Sequence, residues 1–151
     1  MATQMELGAP YALAPGAGKP MAWFSAQITL KASSPELGVV EVVIGPGEEP
    51  PLHVHSGEDE WFYLLDGEAT FHVGDESYRG VVGSFVHFPR GIPHTFTIET
   101  PSARLLVLNT PGGFERMFEL GPQTPEDAVR ALEEFGMEVV GPHPRALATD
   151  A

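Results

Sequence analysis

Short apolar runs separated by turn residues dominate the chain from residue 22 to residue 110. The runs MAWFSAQITLKA, VVEVVIG, EWFYLL, EATFHV, SFVHF, HTFTIE and ARLLVLN alternate or are continuously apolar, and they are rich in β-branched and aromatic residues. These features are typical of β-strands. Turn sequences such as SSPELG, DG and GDES recur roughly every eight to twelve residues. The pattern predicts an all-β sandwich or barrel.

A helical pattern appears only toward the C-terminus. The segment TPEDAVRALEEFG offers Thr124 as N-cap, Pro125 at the first helical position and Gly136 as the stop. Glu126 is placed to pair with Arg130 one turn later. The predicted apolar stripe consists of Val129, Leu132 and Phe135. A short helix packed on the outside of the β domain is therefore expected.

The length of 151 residues and the 42% hydrophobic content fit one globular domain with its own core. No internal repeat is visible. We divide the chain into an irregular arm at 1–21, a barrel core at 22–110 and an extension at 111–151 that carries the short helix.

Charge and cysteine content narrow the classes of partner. The formal net charge is −13, and the eight Lys and Arg residues form no patch, so neither nucleic acid nor a membrane is an expected partner. The chain has no cysteine, so any metal must use nitrogen and oxygen ligands. The first residues lack the basic and apolar regions of a signal peptide, and we expect a cytoplasmic protein.

The segment GEEPPLHVHSGEDEWFYLLDG concentrates the candidate chemistry. His53 and His55 are two residues apart, so in an extended chain both imidazoles project from the same face. Glu60 shares one face of the next strand with Phe62 and Leu64. Because a buried, unpaired carboxylate is costly, coordination of a cation is the expected remedy.

Glu58 and Asp59, the two residues directly before Glu60, are predicted to face solvent, with metal binding as the alternative if the register of the loop shifts. Further along, His94 follows the turn PRGIP and faces the same way as Phe96 and Ile98. Three imidazoles and one carboxylate suit a single divalent transition metal ion: Fe, Mn, Ni, Co, Cu or Zn.

The spacing of these residues resembles the two motifs of the cupin superfamily. Nine positions match in order: Gly47, His53, His55, Glu60, Gly67, Gly83, Pro89, Gly91 and His94. The second motif lacks its final Asn, where this chain has Ile98. The C-terminal segment is similar to that of small single-domain bacterial cupins of the quercetin-dioxygenase-like group. The resemblance implies a jelly-roll β-barrel with a short C-terminal helix, and a homodimer formed through the sheets. It also implies His53, His55, Glu60 and His94 as metal ligands.

The resemblance further implies a metal-dependent oxygenase that acts on a small aromatic, flavonol-like or enolisable substrate. Glu60 is the candidate catalytic base, provided that apolar surroundings raise its pKa. The expected pocket residues are Phe62, Leu64, Phe96, Ile98 and His87. The first four are core residues by default and line the pocket if the barrel encloses a cavity. A metal-dependent isomerase or cyclase and a non-catalytic, ligand-binding cupin are the alternatives.

The remaining histidines and aromatic residues have more ordinary interpretations. His72 is expected on the solvent face, and His87 fits either face of its strand. His143 is expected in a loose tail. Trp61 and Tyr63 are expected to pack on the sheet or at a dimer interface.

Overall fold

The fold is described from a computed structural model, in which residues 8–122 and 124–149 are described. Within these ranges, the strands are β1 Lys19–Trp23, β2 Ala26–Ser33, β3 Gly38–Ile44, β4 Leu52–His55, β5 Asp59–Asp66, β6 Ala69–Val73, β7 Glu76–Gly80, β8 Phe85–Phe88, β9 His94–Ile98, β10 Ala103–Thr110 and β11 Met137–Gly141. They form two antiparallel sheets, one of six strands in the order β1-β2-β3-β10-β5-β8 and one of five in the order β11-β4-β9-β6-β7. The helices are a 3₁₀ helix, Phe114–Leu120, and two α-helices, α1 Pro125–Glu134 and α2 Pro144–Thr149.

The alternation of apolar and polar residues explains how the two sheets share one core. In β3 and β10 every second side chain is buried, as a half-buried antiparallel strand requires. Inward side chains of both sheets share one apolar cluster, in which the Phe62 ring contacts the rings of Phe71, Phe88 and Phe96. The predicted all-β jelly-roll class is confirmed.

The N-terminal run that the sequence predicts as one strand is a hairpin. Strand β1 pairs with β2 in antiparallel register from Lys19↔Leu30 to Trp23↔Ala26. The chain reverses at Phe24, which adopts the left-handed conformation with φ 54°. Pairing therefore begins at Lys19, inside the predicted arm. The sequence did not indicate this hairpin because its turn contains no Gly, Pro or Asn.

The predicted helix is present as α1, and its N-cap is confirmed. The hydroxyl of Thr124 accepts a hydrogen bond from Asp127 N at 3.1 Å. Two details of the prediction are wrong. The side chain of Arg130 pairs with Asp127, not with Glu126, at 2.7 Å. Val129 is 44% exposed, and the buried face consists of Ala128, Ala131 and Leu132.

The C-terminal extension also contributes a strand that the sequence does not predict. Strand β11 pairs with β4, placing Met137 opposite His55 and Val139 opposite His53. The extension thus borders the strand that carries the histidine pair, in addition to carrying a helix. In the described ranges, no helix is long and apolar enough to cross a membrane.

Candidate metal centre

The four predicted ligands come together between the two sheets. His53 and His55 lie on β4 and His94 on β9, where His53 and His94 are register partners. Glu60 reaches the same point from β5 of the other sheet. One potential ligand atom from each residue lies within 4.8 Å of those of the others, and each residue is at most 5% exposed.

Backbone carbonyl groups orient two of the three imidazoles. His53 Nδ1 donates to the carbonyl oxygen of Pro51 at 2.8 Å, and His94 Nδ1 donates to that of Ile92 at 3.1 Å. A proton on Nδ1 leaves the Nε2 lone pair free. His53 and His94 therefore present Nε2 as the available ligand atom.

The third imidazole is held by a carboxylate that the sequence interpretation assigned to solvent. Glu58 is only 8% exposed, and its Oε1 lies 2.6 Å from His55 Nδ1. The prediction for Glu58 is wrong because this residue precedes β5 in a turn, where strand alternation does not apply. Asp59 does reach the surface, where it accepts hydrogen bonds from Arg90 N and Nε. The one feature of the sequence that could have indicated the contact between His55 and Glu58 was their three-residue separation.

The charges of the site favour an ionised Glu60. Its Oε2 lies 3.4 Å from His55 Nε2 and 3.3 Å from His94 Nε2. Burial on its own raises the pKa of Glu60, but attraction to the His55 and His94 imidazoles outweighs burial and lowers this pKa overall. A catalytic base at position 60 would need a raised pKa, whereas the pKa of Glu60 is lowered.

The pKa values of the two histidines of β4 are shifted in opposite directions. Burial and repulsion from His94 lower the pKa of His53 to about 3. For His55, burial also disfavours the charged form, but the Glu60 charge and the hydrogen bond to Glu58 raise its pKa to about 10. A metal bound at His55 Nε2 would displace the proton held there.

The geometry of the cluster fits a divalent transition metal ion. His94 Nε2 is buried and has no hydrogen-bond partner, since its contact with Glu60 lacks hydrogen-bond geometry. Ligands about 2.1 Å from one ion lie roughly 3–3.5 Å apart, which agrees with the two contacts of Glu60. Coordination would satisfy the orphaned nitrogen and stabilise the buried carboxylate.

An apolar cavity of about 480 Å³ opens beside the cluster. Of the predicted pocket residues, Phe62 and Phe96 line this cavity. Leu64 and Ile98 are wholly buried in the core and do not line it, which corrects their assignment. Each lies two residues beyond a cavity residue, Phe62 or Phe96, on the same strand.

His87 is also incorrectly assigned to the pocket. It is exposed and stacks on Trp61 on the outer face of the six-stranded sheet, with ring centroids 4.8 Å apart. The register explains this position. Trp61 and His87 are paired across β5 and β8, so both point away from the inward-facing Glu60.

Much of the cavity wall was not predicted from the sequence. Strands β2, β3 and β10 contribute aliphatic side chains, and the C-terminal extension contributes Phe114, Met117, Leu132 and Met137. The Phe114 ring packs edge-on against His55, with centroids 4.5 Å apart. No Lys or Arg of the described residues lines the cavity.

The other two histidines lie on the outside of the five-stranded sheet. His72 contacts Ser77 and Thr97 through its two ring nitrogens at 3.1 and 3.0 Å, away from the cavity as expected. His143 is not in a loose tail, because its Nε2 donates to the carbonyl oxygen of Phe96 at 2.9 Å. This bond attaches the C-terminal segment to β9.

Comparison with known proteins agrees with this architecture. A family model described as a cupin domain matches residues 40–109, which include all four candidate ligands. Quercetin 2,3-dioxygenase of Bacillus subtilis (strain 168) is 27% identical over 115 residues, or 74% of this chain. The match covers 34% of that protein, so this chain spans about a third of the curated relative.

Several solved structures share the fold. The TT1209 structure from Thermus thermophilus is 30% identical with a TM-score of 0.52, covering 66% of this chain and 90% of that one. KdgF from Halomonas sp. is 23% identical with a TM-score of 0.55, covering 58% and 80% of the two chains. Pac13, a nucleoside dehydratase from Streptomyces, has a TM-score of 0.63 at 12% identity, covering 91% and 97%. The last two show similarity of fold only.

Proposed function

The chain belongs to the cupin superfamily, and from this premise we propose that it is a metal-dependent oxygenase for a small, uncharged aromatic or enolisable substrate. The observation that carries the proposal is a buried set of three imidazoles and one carboxylate at the wall of an apolar cavity. The similarity to quercetin 2,3-dioxygenase supports oxygenase chemistry over other uses of such a site.

In this proposal His53, His55, Glu60 and His94 hold the ion. A bound divalent metal supplies Lewis acidity and a template for the oxygen atoms of the reactants. The lowered pKa of Glu60 suits a ligand, since an ionised carboxylate is a good donor and a weak base. We therefore assign Glu60 to metal binding.

The cavity wall supports an uncharged substrate. Aromatic and aliphatic side chains dominate the lining, and the polar groups outside the ligand set include Glu48, Glu49 and Asn109. Without Lys or Arg in the described wall, an anionic sugar or phosphate would have the metal ion as its one positive partner, and burying its remaining charge would cost several kcal/mol. This argument disfavours a sugar-phosphate isomerase.

The test is an oxygen-electrode screen of protein loaded separately with Fe, Mn, Ni or Co. Flavonols, β-diketones and catechols are the probes, and metal-dependent O2 uptake with at least one of them is expected. The variant His94→Ala should lose this uptake. His72→Ala, which changes a histidine outside the cavity, should retain it within about twofold.

Three results would contradict the oxygenase proposal. Turnover of a probe under argon indicates an isomerase or cyclase, whereas a probe that binds and is recovered unchanged indicates a binding protein. A metal content far below one equivalent after loading would remove the premise itself.

The cytoplasm remains our prediction for where the protein acts.

We further propose that two copies associate through the outer face of β5 and β8. Trp61, Tyr63, Phe85 and His87 form an aromatic patch there, with Tyr63 40% and Phe85 62% exposed. On a chain of net charge −13, these four side chains include no carboxylate, so a second copy can meet the patch ring to ring. Light scattering should give twice the 16.2 kDa chain mass for the wild type and once that mass for Phe85→Glu. A monomeric wild type would overturn this.

A further inference from the structure

We propose that Glu58 is a positioning residue of the metal centre: it holds His55 with Nε2 toward the ion and adds a second carboxylate charge to the site. The inference rests on the metal binding proposed above. It assigns a role to a residue that lies outside the four-ligand set.

The three imidazoles are not held in the same way. Carbonyl groups of Pro51 and Ile92 lie two residues before His53 and His94, so those two rings are fixed by the local course of their own strands. His55 Nδ1 has the Glu58 carboxylate as its partner at 2.6 Å. The orientation of His55 therefore depends on a side chain.

The turn that carries Glu58 is itself attached to the C-terminal extension. Ser56 N and Ser56 Oγ both donate to the carbonyl oxygen of Gly136, at 3.0 and 3.1 Å. Gly136 lies between α1 and β11 and adopts φ 78°, a conformation that favours glycine. The extension thus holds the turn in the position from which Glu58 reaches His55.

A carboxylate at Nδ1 has a different effect from a carbonyl. The negative charge makes the imidazole a stronger electron-pair donor and fixes which nitrogen faces the metal. With Glu60 in the ligand set, Glu58 brings the number of buried carboxylates beside a divalent ion to two. Loss of such outer partners typically weakens metal affinity about 10- to 100-fold.

The variants Glu58→Gln and Glu58→Ala separate the contributions of charge and position. Glutamine keeps a carbonyl oxygen that can accept from His55 Nδ1 but removes the charge, whereas alanine removes both. Asp59→Asn is the matched control, because it makes the same change in net charge one residue away, on a side chain that binds Arg90 at the surface.

The measurement is the Kd of metal-free protein for Co(II), obtained by chelator competition, together with the visible absorption of the Co(II) form. We expect Glu58→Gln to bind about 10-fold more weakly with a shifted Co(II) band, Glu58→Ala about 100-fold more weakly, and Asp59→Asn within twofold of wild type. Circular dichroism of the metal-free variants identifies any general loss of fold.

The outcomes distinguish this inference from the proposed function. A wild type that does not bind Co(II) contradicts the metal site, and with it the inference. If the wild type binds Co(II) and both Glu58 variants have a Kd within twofold of it, the role of Glu58 is overturned while the metal site stands. If the variants do not fold, imidazole 15N NMR of the wild-type Zn(II) form decides, since His55 must carry its proton on Nδ1 and bind through Nε2.

Discussion

Replacement of Glu49 by alanine should destabilise the protein strongly, although Glu49 lies outside the proposed ligand set. Its side chain is 1% exposed and accepts hydrogen bonds from three segments of the chain. Oε1 accepts from Gly47 N at 2.6 Å, and Oε2 accepts from Ile98 N and from Arg145 Nη2, both at 2.9 Å. This carboxylate therefore connects the proline loop before His53, strand β9 and the C-terminal segment.

The size of the effect follows from these partners. A hydrogen bond to a charged group contributes about 1.5–3 kcal/mol, and the amide of the buried Ile98 would be left unsatisfied. The ion pair with Arg145 adds at most about 1 kcal/mol because the Arg145 side chain is 42% exposed. Since such contributions are not additive, we expect Glu49→Ala to cost about 3 kcal/mol. For a domain of this size that cost lowers Tm by roughly 6–12 °C.

Thermal unfolding by differential scanning calorimetry at pH 7, without added metal, measures this loss. The matched control is Glu99→Ala, since Glu99 is exposed and its carboxylate accepts from the hydroxyl of Thr70. The control should change stability by no more than about 0.5 kcal/mol. Glu49→Gln should fall between the two, because its amide oxygen can still accept from Ile98 N.

The loss of stability in Glu49→Ala should become smaller as the pH falls. Burial on its own raises the pKa of Glu49, but hydrogen bonds from the Ile98 backbone and from Arg145 outweigh burial and lower this pKa. A lowered folded-state pKa gives stability that is fully present above the unfolded pKa of about 4.3 and is lost as pH falls through the folded pKa. The difference in Tm between wild type and Glu49→Ala should thus be largest near pH 7 and shrink below about pH 4. A Tm of Glu49→Ala within about 2 °C of wild type at pH 7, or a difference that grows on acidification, would refute the reasoning.

Four further predictions test the site, the cavity and the helix. At a Co(II) concentration of 100 times the wild-type Kd, wild type should gain about 2.7 kcal/mol of stability, while His94→Ala should gain almost none; an equal gain would contradict the ligand set. His87→Ala should leave Co(II) affinity unchanged within twofold, because His87 lies on the outer face, and a tenfold loss would place it at the site. Leu132→Ala should cost about 2–4 kcal/mol in urea unfolding because Leu132 is 7% exposed at the cavity wall, and a cost below about 1 kcal/mol would mean that α1 is not packed there. Thr124→Ala should cost about 1 kcal/mol through loss of the N-cap, whereas Thr124→Ser should recover most of it.

Local periodicity accounts for what the sequence predicted correctly. In a strand, adjacent side chains point to opposite faces, so the separation of His53 from His55 and of Glu60 from Phe62 was enough to predict which side chains share a face. The N-cap of α1 was predictable for the same reason, since Thr124 and Asp127 are close in the chain whatever the rest of the molecule does. Spacing and alternation thereby indicated the β class and the residues that surround the candidate metal centre.

Only the tertiary structure decided the features that depend on distant partners or on non-periodic segments. Glu58 lies in a turn, where alternation does not assign a face, and hydrogen bonds of Ser56 attach this turn to Gly136 of the distant C-terminal extension. The outward position of His87 is set by pairing with β5, and β11 joins β4 from a segment more than eighty residues away. A strand pattern specifies that neighbouring side chains alternate, but which face becomes the interior depends on what the sheet packs against. The sequence by itself therefore determined which four residues form the candidate metal centre, while the fold decided the walls of the cavity and the carboxylate that holds His55.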